Sequence, residues 1–304
     1  MALLRVIEAR DATMLLGRRV SDDANLPESV RARIQDVFGS DLSAGQVVDH
    51  ILDRIEAEGD RAVLDFTHRI DGVRPARLEV TKEQIRAAYQ QVSPALVESM
   101  RTAAEQIRAF HAKQMQRSWA DFSAAGALGQ IVRPLRSVGI YAPGGSAPYP
   151  STLLMGAVPA RVAGVEEIIV ASPPGRDGGV SALVLVAADI AGVDRVFAVG
   201  GAQAIGAMAY GTESVPRVDK ILGPGNIFVT LAKKKVFGLV GIDQLAGPTE
   251  TLVIADDSAR PPLVAADLLA QAEHDPMASA ILITTSRELV GSVQSELEAQ
   301  LRLL

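Results

Sequence analysis

Two glycine-containing turns in the middle of the sequence have the character of anion-binding sites. Gly200-Gly201 follows the apolar run 196–199, and Gly223-Pro224-Gly225-Asn226 follows the apolar run 220–222. Each turn leads into a segment with helical character. In open α/β sheets ligands bind just beyond the carboxyl ends of the strands, and glycine lets the backbone approach them closely. Because free N–H groups at a helix start attract anions, both turns would suit the pyrophosphate of a dinucleotide.

The pattern by itself does not separate a nucleotide site from ordinary turns, which in most α/β proteins bind nothing. Neither turn spells G-x-G-x-x-G, and the sequence contains no G-x-x-x-x-G-K-[ST]. Asp219 lies at the start of a predicted strand, so it is not the acidic residue that binds a ribose after the second strand of a Rossmann fold. A third glycine turn, 142–146, follows Tyr141, whose ring would either stack on a flat ligand or pack in the core.

A polar cluster near the C-terminus has the composition of part of a metal site. Gln271 and His274 are three residues apart in a predicted helix and are flanked by Glu273 and Asp275. Imidazole is a common zinc ligand, and amide or carboxylate oxygens complete such sites. A polar helix end is the simpler interpretation, and a metal would need further ligands from elsewhere in the fold.

Thr249 and Glu250 follow a Gly-Pro turn at the start of another predicted strand. Glu250 is either a solvated turn residue or a partner for the ammonium group of a substrate. The three remaining histidines, His50, His68 and His111, lie in the helical N-terminal half, and we assign no role to them.

The elements that must position these residues follow from the period of the apolar residues. Residues 27–119 predict helices, with N-caps at Ser43 and at Ser93-Pro94 and a capping box from Thr81 to Gln84. A hairpin is predicted before residue 134, and strands then alternate with helices, which indicates a parallel sheet with right-handed crossovers. The predicted strands are 138–141, 165–171, 194–199, 220–222, 251–255 and 280–284, and the helices between and after them are 151–163, 180–191, 202–210, 262–273 and one from 286.

Composition excludes several classes of function. The 304 residues suggest about two domains, and the net charge of −6 without a basic patch argues against a nucleic-acid partner. The only basic cluster, Lys233-Lys234-Lys235, is predicted on the solvated face of a helix. The sequence has no cysteine, no signal-peptide core and no apolar run long enough for a membrane span. We therefore expect a cytoplasmic protein without a membrane partner.

Four stretches together resemble the histidinol dehydrogenase family. They are VGIYAPGGSAP at 138–148, GGAQAIGAMAYGTESVPRVDKILGPGN at 200–226, AGPTE at 246–250 and LAQAEHDP at 269–276. They occur in the family's order, and the similarity covers nearly the whole chain. The resemblance implies an α/β fold of two incomplete Rossmann-like parallel-sheet domains, with the cofactor domain inserted in the other and a helical N-terminal part. The implied divisions are an arm at 1–20, a first domain at 21–137 plus 251–304, and an inserted NAD-binding domain at 138–250.

The resemblance also implies a function. Family members oxidise L-histidinol to L-histidine through histidinal, as homodimers that use NAD and zinc, in the last step of histidine biosynthesis. By position, Tyr141, Gln203 and Asn226 correspond to NAD contacts, and Thr249 corresponds to a substrate contact. Gln271 and His274 correspond to zinc ligands that also border the substrate.

The sequence departs from the family pattern at its end, because family chains continue for roughly a hundred residues or more. The Glu-His acid/base pair, an aspartate ligand and a histidine ligand supplied by the other subunit are expected beyond Leu304, so we predict no catalytic acid or base within this sequence. Two alternatives stay open at this point: a non-catalytic NAD-binding or regulatory module of the same fold, and a dehydrogenase of another amino alcohol.

Overall fold

The structure is a computed structural model that describes residues 5–8, 11–12, 26–144, 149–245, 250–274 and 278–303. Contacts divide the chain into two compact units, one formed by residues 1–41 with 246–304 and the other by residues 42–245. One unit is therefore inserted in the other in chain order. The helices between residues 42 and 112 group with the inserted unit, whereas the prediction placed them in the first domain. The predicted division at residues 137 and 251 stays a prediction, and the predicted arm lies largely outside the described residues.

The inserted unit is built on a five-stranded parallel sheet. Its strands are β3 (Ser137–Tyr141), β4 (Glu167–Ser172), β5 (Arg195–Ala198), β6 (Lys220–Leu222) and β7 (Gly241–Ile242). They lie in the order β5-β4-β3-β6-β7. The chain adds β4 and β5 on one side of β3 and then returns to add β6 on the other side. All of β3 is buried, as expected for a parallel strand that is covered on both faces. The predicted α/β class is confirmed.

Helices cover both faces of this sheet. One layer consists of α4 (Lys82–Ala88), α5 (Pro94–Ala112), α6 (Pro150–Val162) and α7 (Ala182–Ala191), and the other of α2 (Ala44–Glu58), α3 (Asp60–Phe66), α8 (Gly201–Tyr210) and α9 (Ile227–Val236). In the second layer, Leu52 and Ile55 of α2 pack closely against Gly206 of α8. Apolar side chains at alternating strand positions, such as Ile140 and Ile169, are therefore buried beneath helices on both faces of the sheet.

Several helix boundaries follow from local hydrogen bonding, as the sequence predicted. Ser43 and Thr81 each form a complete capping box with the glutamine three residues later. Ser93 accepts a hydrogen bond from the N–H of Leu96 at the start of α5. A feature that the sequence did not predict is a π-helix, Thr67–Asp71, which continues α3.

The predicted hairpin is confirmed as two antiparallel strands, β1 (Trp119–Ser123) and β2 (Gly126–Gln130). All ten paired residues of these strands are exposed.

The smaller unit contains helix α1 (Glu28–Phe38) and a parallel pair of strands, β8 (Glu250–Ala255) and β9 (Ser279–Thr284), with α10 (Pro261–His274) and α11 (Arg287–Leu301). The two later helices pack together through apolar residues at helical spacing, which are Val264, Ala265 and Leu268 on α10 and Leu289, Val293 and Leu297 on α11. Within the described ranges, no helix has both the length and the apolar character that crossing a membrane requires.

Candidate functional site

Topology alone points to the carboxyl edge of the sheet between β3 and β6 as the ligand site of the inserted unit. The strand order reverses at this point, because β4 and β5 extend from one side of β3 and β6 pairs with the other. In open α/β sheets, ligands bind in the crevice at such a switch point. Tyr141 ends β3, and Gly223 directly follows β6. Tyr141 and the turn that begins at Gly223, which belong to two of the three predicted ligand segments, therefore meet at this edge.

The backbones of the two segments lie so close that the turn requires glycine. Gly223 has a φ of +113°, and a Cβ atom at this position would lie 2.2 Å from the carbonyl oxygen of Tyr141. A side chain would be strained by the dihedral angle and would also collide with the neighbouring strand. The turn after β6 is therefore packed directly on the end of β3.

Tyr141 packs in the core, and its hydroxyl group reaches the start of α8. The residue is 4% exposed. The backbone N–H of Gly201 donates a hydrogen bond to its hydroxyl oxygen at 3.1 Å. Burial raises the pKa of the phenol to about 12, with a further contribution from the negative charge of Asp71. The hydroxyl is thus neutral at ordinary pH and can donate its proton to an acceptor.

Gln203 lies in the first turn of α8 and is completely buried. Its Nε2 donates a long hydrogen bond of 3.4 Å to Oδ2 of Asp71, the last residue of the π-helix. Its Oε1 has no hydrogen-bond partner within the part of the chain that the structure describes. Buried polar atoms are nearly always hydrogen-bonded, so this oxygen is an acceptor that lacks its donor. Because a carboxylate only accepts hydrogen bonds, Asp71 orients the amide with its NH2 group toward the carboxylate and leaves Oε1 for another donor.

Two residues at this edge were not singled out by the sequence. Asp71 was missed because the sequence pattern did not predict the π-helix that it ends, and only the packing of α3 against α8 within one helix layer brings it to Gln203. Ser172 ends β4, is completely buried, and its Oγ has no hydrogen-bond partner in the described ranges. A Cβ atom added at Gly144 would lie 3.1 Å from this oxygen. The serine therefore adjoins the turn after β3.

Asn226 begins α9. Its Oδ1 accepts hydrogen bonds from the backbone N–H groups of Phe228 at 3.1 Å and Val229 at 3.2 Å, so it is the N-cap of the helix. The residue itself is exposed. Since the oxygen is used by the cap, the NH2 group is the part of this side chain that can donate to a ligand.

The predicted solvated lysine cluster is wrong for Lys233. This residue is 2% exposed, whereas Lys234 and Lys235 are exposed as expected. Lys233 stands on the apolar stripe of α9 with Val229, Ala232 and Val236, all of which are buried. The spacing of three and four residues in this stripe is a signal from which the burial could have been predicted.

The polar cluster of the smaller unit lies at the end of α10. His274 is the last residue of that helix, and Gln271 precedes it by one turn. Oε1 of Gln271 accepts a hydrogen bond from Oγ1 of Thr251 at 2.6 Å. Glu250 is exposed at the start of β8, and Thr249 lies outside the described residues. In the described ranges, no three His, Cys, Asp or Glu residues group together as a metal site. An amide oxygen and an imidazole fit half of a four-ligand zinc site.

Comparison with known proteins agrees with these features. The family model of histidinol dehydrogenase matches residues 39–304. The histidinol dehydrogenase of Deinococcus radiodurans is 53% identical over 301 residues, which are 99% of this chain and 68% of that protein. That of Clostridium acetobutylicum is 51% identical over 256 residues, which are 84% and 59% of the two chains. The crystal structure of histidinol dehydrogenase from Elizabethkingia anophelis matches with a TM-score of 0.78 and 36% identity over 92% of this chain and 65% of that chain.

The chain therefore spans only part of the length of these relatives, between 59% and 68% in the three cases. The match nevertheless includes both units and each of the stretches on which the predicted sites lie. We conclude that the chain belongs to the histidinol dehydrogenase family.

Proposed function

We propose that this chain forms the cofactor-binding part and half of the metal-binding part of an NAD-dependent and zinc-dependent histidinol dehydrogenase. The whole protein would oxidise L-histidinol to L-histidine through histidinal, the last step of histidine biosynthesis. The observation that carries the NAD assignment is the fully buried Oε1 of Gln203, which has no hydrogen-bond partner among the described residues and lies two residues after the Gly201 N–H that donates to the Tyr141 hydroxyl. The family membership supports the choice of substrate.

In this proposal, NAD binds along the carboxyl edge of the sheet. Oε1 of Gln203 would accept a hydrogen bond from a hydroxyl or amide group of the cofactor, and the NH2 group of Asn226 would donate one. The hydroxyl of Tyr141 lies beside the start of α8, where the partial positive charge of the helix favours a phosphate. These groups bind and orient the cofactor, which accepts the hydride.

Gln271 and His274 would hold zinc through an amide oxygen and an imidazole nitrogen, and Thr249 would contact the substrate. Bound zinc supplies a Lewis acid that orients a ligand such as an imidazole or amine. A stable site usually has three or four protein ligands, so the proposal requires ligands in addition to Gln271 and His274. It places the Glu-His acid/base pair beyond Leu304, which fits the greater length of the relatives. The homodimer and the cytoplasmic location are part of the same proposal.

The first experiment is a titration of the purified chain with NAD by calorimetry. We expect saturable binding of one NAD per chain, and we expect Gln203→Leu to weaken it by about tenfold or more, because the variant removes the buried acceptor at nearly constant volume. Gln106→Leu is the matched control, since this glutamine is exposed on α5. Equal affinity of the Gln203 and Gln106 variants would contradict the assignment.

The second experiment measures reduced nicotinamide formed from NAD and L-histidinol with added zinc. We expect the chain ending at Leu304 to bind NAD without turnover. Turnover by a sample of confirmed mass would mean that this chain contains the acid and base, and the mapping of the catalytic pair would be wrong. NAD binding without turnover in a chain extended to the full length of the relatives would instead favour the non-catalytic module.

A further inference from the structure

The buried lysine of α9 makes contacts that a packing residue does not need. The side chain of Lys233 is 3% exposed, and its Nζ donates a hydrogen bond of 2.9 Å to the carbonyl oxygen of Gly223. The same Nζ forms an ion pair with Oδ1 of Asp243. Lysine is almost never fully buried unless it is paired, so the apolar stripe of α9 accepts this charge only because both partners are present.

Asp243 completes a clamp on the same glycine. Its Oδ2 accepts a hydrogen bond of 2.8 Å from the backbone N–H of Gly223. The N–H and the C=O of Gly223 are thus each held by one member of the ion pair. A Cβ atom added to this glycine would lie 2.2 Å from the carbonyl oxygen of Tyr141, so the turn is close to the end of β3. The clamp therefore fixes the turn after β6 against the end of β3, three residues before Asn226.

Stability alone does not explain this arrangement. Removing a lysine from water is costly, and a well-packed apolar pair is often as stable as a buried ion pair. The side chain of Asp243 is 29% exposed, so part of its charge stays solvated while the lysine is enclosed. An apolar pair could neither donate a hydrogen bond to the carbonyl of Gly223 nor accept one from its N–H. The clamp thus determines the position of the turn.

We propose that Lys233 and Asp243 are positioning residues for the cofactor turn, defined as residues 223–226. They act through the backbone of Gly223 on Asn226 and do not touch the cofactor. The inference rests on the proposed NAD site and adds to it the residues that hold its turn in place.

The test compares four variants of the chain. Lys233→Met removes the donor and keeps the buried aliphatic stem. Asp243→Asn keeps an acceptor for the N–H of Gly223 but leaves a buried cation without its counter-ion. The double variant Lys233→Met/Asp243→Asn removes both charges. Lys234→Met is the control, since it removes one charge from the exposed side of the same helix. The readouts are the Kd for NAD, the thermal midpoint and amide hydrogen exchange of the segment 220–229 without ligand.

We expect Asp243→Asn to have the lowest midpoint, because its lysine is buried and unpaired, and we expect the double variant to recover much of that loss. The Kd for NAD should stay about tenfold weaker in both variants that contain Lys233→Met, since the carbonyl of Gly223 remains without its donor. Faster exchange in segment 220–229 should accompany the weaker binding, and Lys234→Met should match the wild type.

Two results would overturn the inference. In the first, NAD affinity recovers together with stability in the double variant, which would make the pair a structural device only. In the second, Lys233→Met binds NAD as tightly as Lys234→Met does. A wild-type chain that binds no NAD would refute the proposed cofactor site and, with it, the positioning role. In that case, faster amide exchange in Lys233→Met would show only that the pair stabilises the turn.

Discussion

Substitution of Gly223 by alanine separates backbone strain from steric conflict at the cofactor turn. A Cβ atom there would lie 2.2 Å from the carbonyl oxygen of Tyr141, far inside the contact distance, at a φ of +113°. Gly238 offers a matched control, because its φ is +104° and a Cβ atom added there meets nothing within 4 Å. Both variants incur the cost of a left-handed backbone, and only the first also incurs the collision.

The magnitudes follow from these two positions. The positive φ costs an alanine about 1–2 kcal/mol, which is the whole effect expected for Gly238→Ala. In Gly223→Ala the turn must move away from β3, and overpacking adds about 1–3 kcal/mol. That movement also weakens the hydrogen bonds of Gly223 to Lys233 and Asp243, and hydrogen bonds to charged groups contribute about 1.5–3 kcal/mol each. We expect a total loss of about 3–5 kcal/mol for Gly223→Ala.

The assay is urea unfolding followed by circular dichroism, together with titration with NAD. Gly238→Ala should bind NAD like the wild type, and Gly223→Ala should be less stable than Gly238→Ala and should bind NAD at least about tenfold more weakly. Equal midpoints for the two alanine variants would refute the close packing of the turn on β3. A destabilised Gly223→Ala with unchanged NAD affinity would refute the role of this turn in binding.

Three further predictions concern the groups around the two candidate sites. Asp71→Asn should weaken NAD binding about fivefold in calorimetry, because asparagine can donate as well as accept hydrogen bonds and no longer fixes the orientation of the Gln203 amide. An unchanged Kd would show that the 3.4 Å contact does not orient the amide. Burial raises the pKa of Tyr141 in the folded state to about 12, so the unfolded phenol loses its proton first and the folded state should lose stability as pH rises from about 10 to about 12. The thermal midpoint of Tyr141→Phe should decrease less over that range. An equal decrease would contradict the pKa shift. Atomic absorption should find much less than one zinc ion per desalted chain. The variant His274→Ala should bind added zinc more weakly than the control His111→Ala. Tightly held stoichiometric zinc would contradict a site with only two ligands from this chain.

Local pattern determined most of the secondary structure from the sequence alone. Helix starts depend on residues close in sequence, so Ser43 before a helix and the capping box from Thr81 to Gln84 predicted two helix starts that the structure confirms. The alternation of short apolar runs with helices ending at glycine gave the parallel sheet and placed strand β6 at its observed bounds, 220–222. The glycine and polar stretches also carried enough information for the family to be identified, although they left open what each residue contacts.

Tertiary structure decided what the local patterns could not. Asp71 meets Gln203 across 132 residues of sequence, and no periodicity near either residue predicts this contact. The apolar stripe of α9 is a local signal that places Lys233 in the core and Lys234 in solvent, but it does not predict which groups pair with the buried lysine. The partner, Asp243, is supplied by the segment after β7, and the held glycine by the segment after β6. Local sequence determines interactions within one helical turn or one strand. The reversal of strand order at β3 and β6 depends instead on pairing between distant segments. This reversal brings the cofactor turn and Tyr141 together.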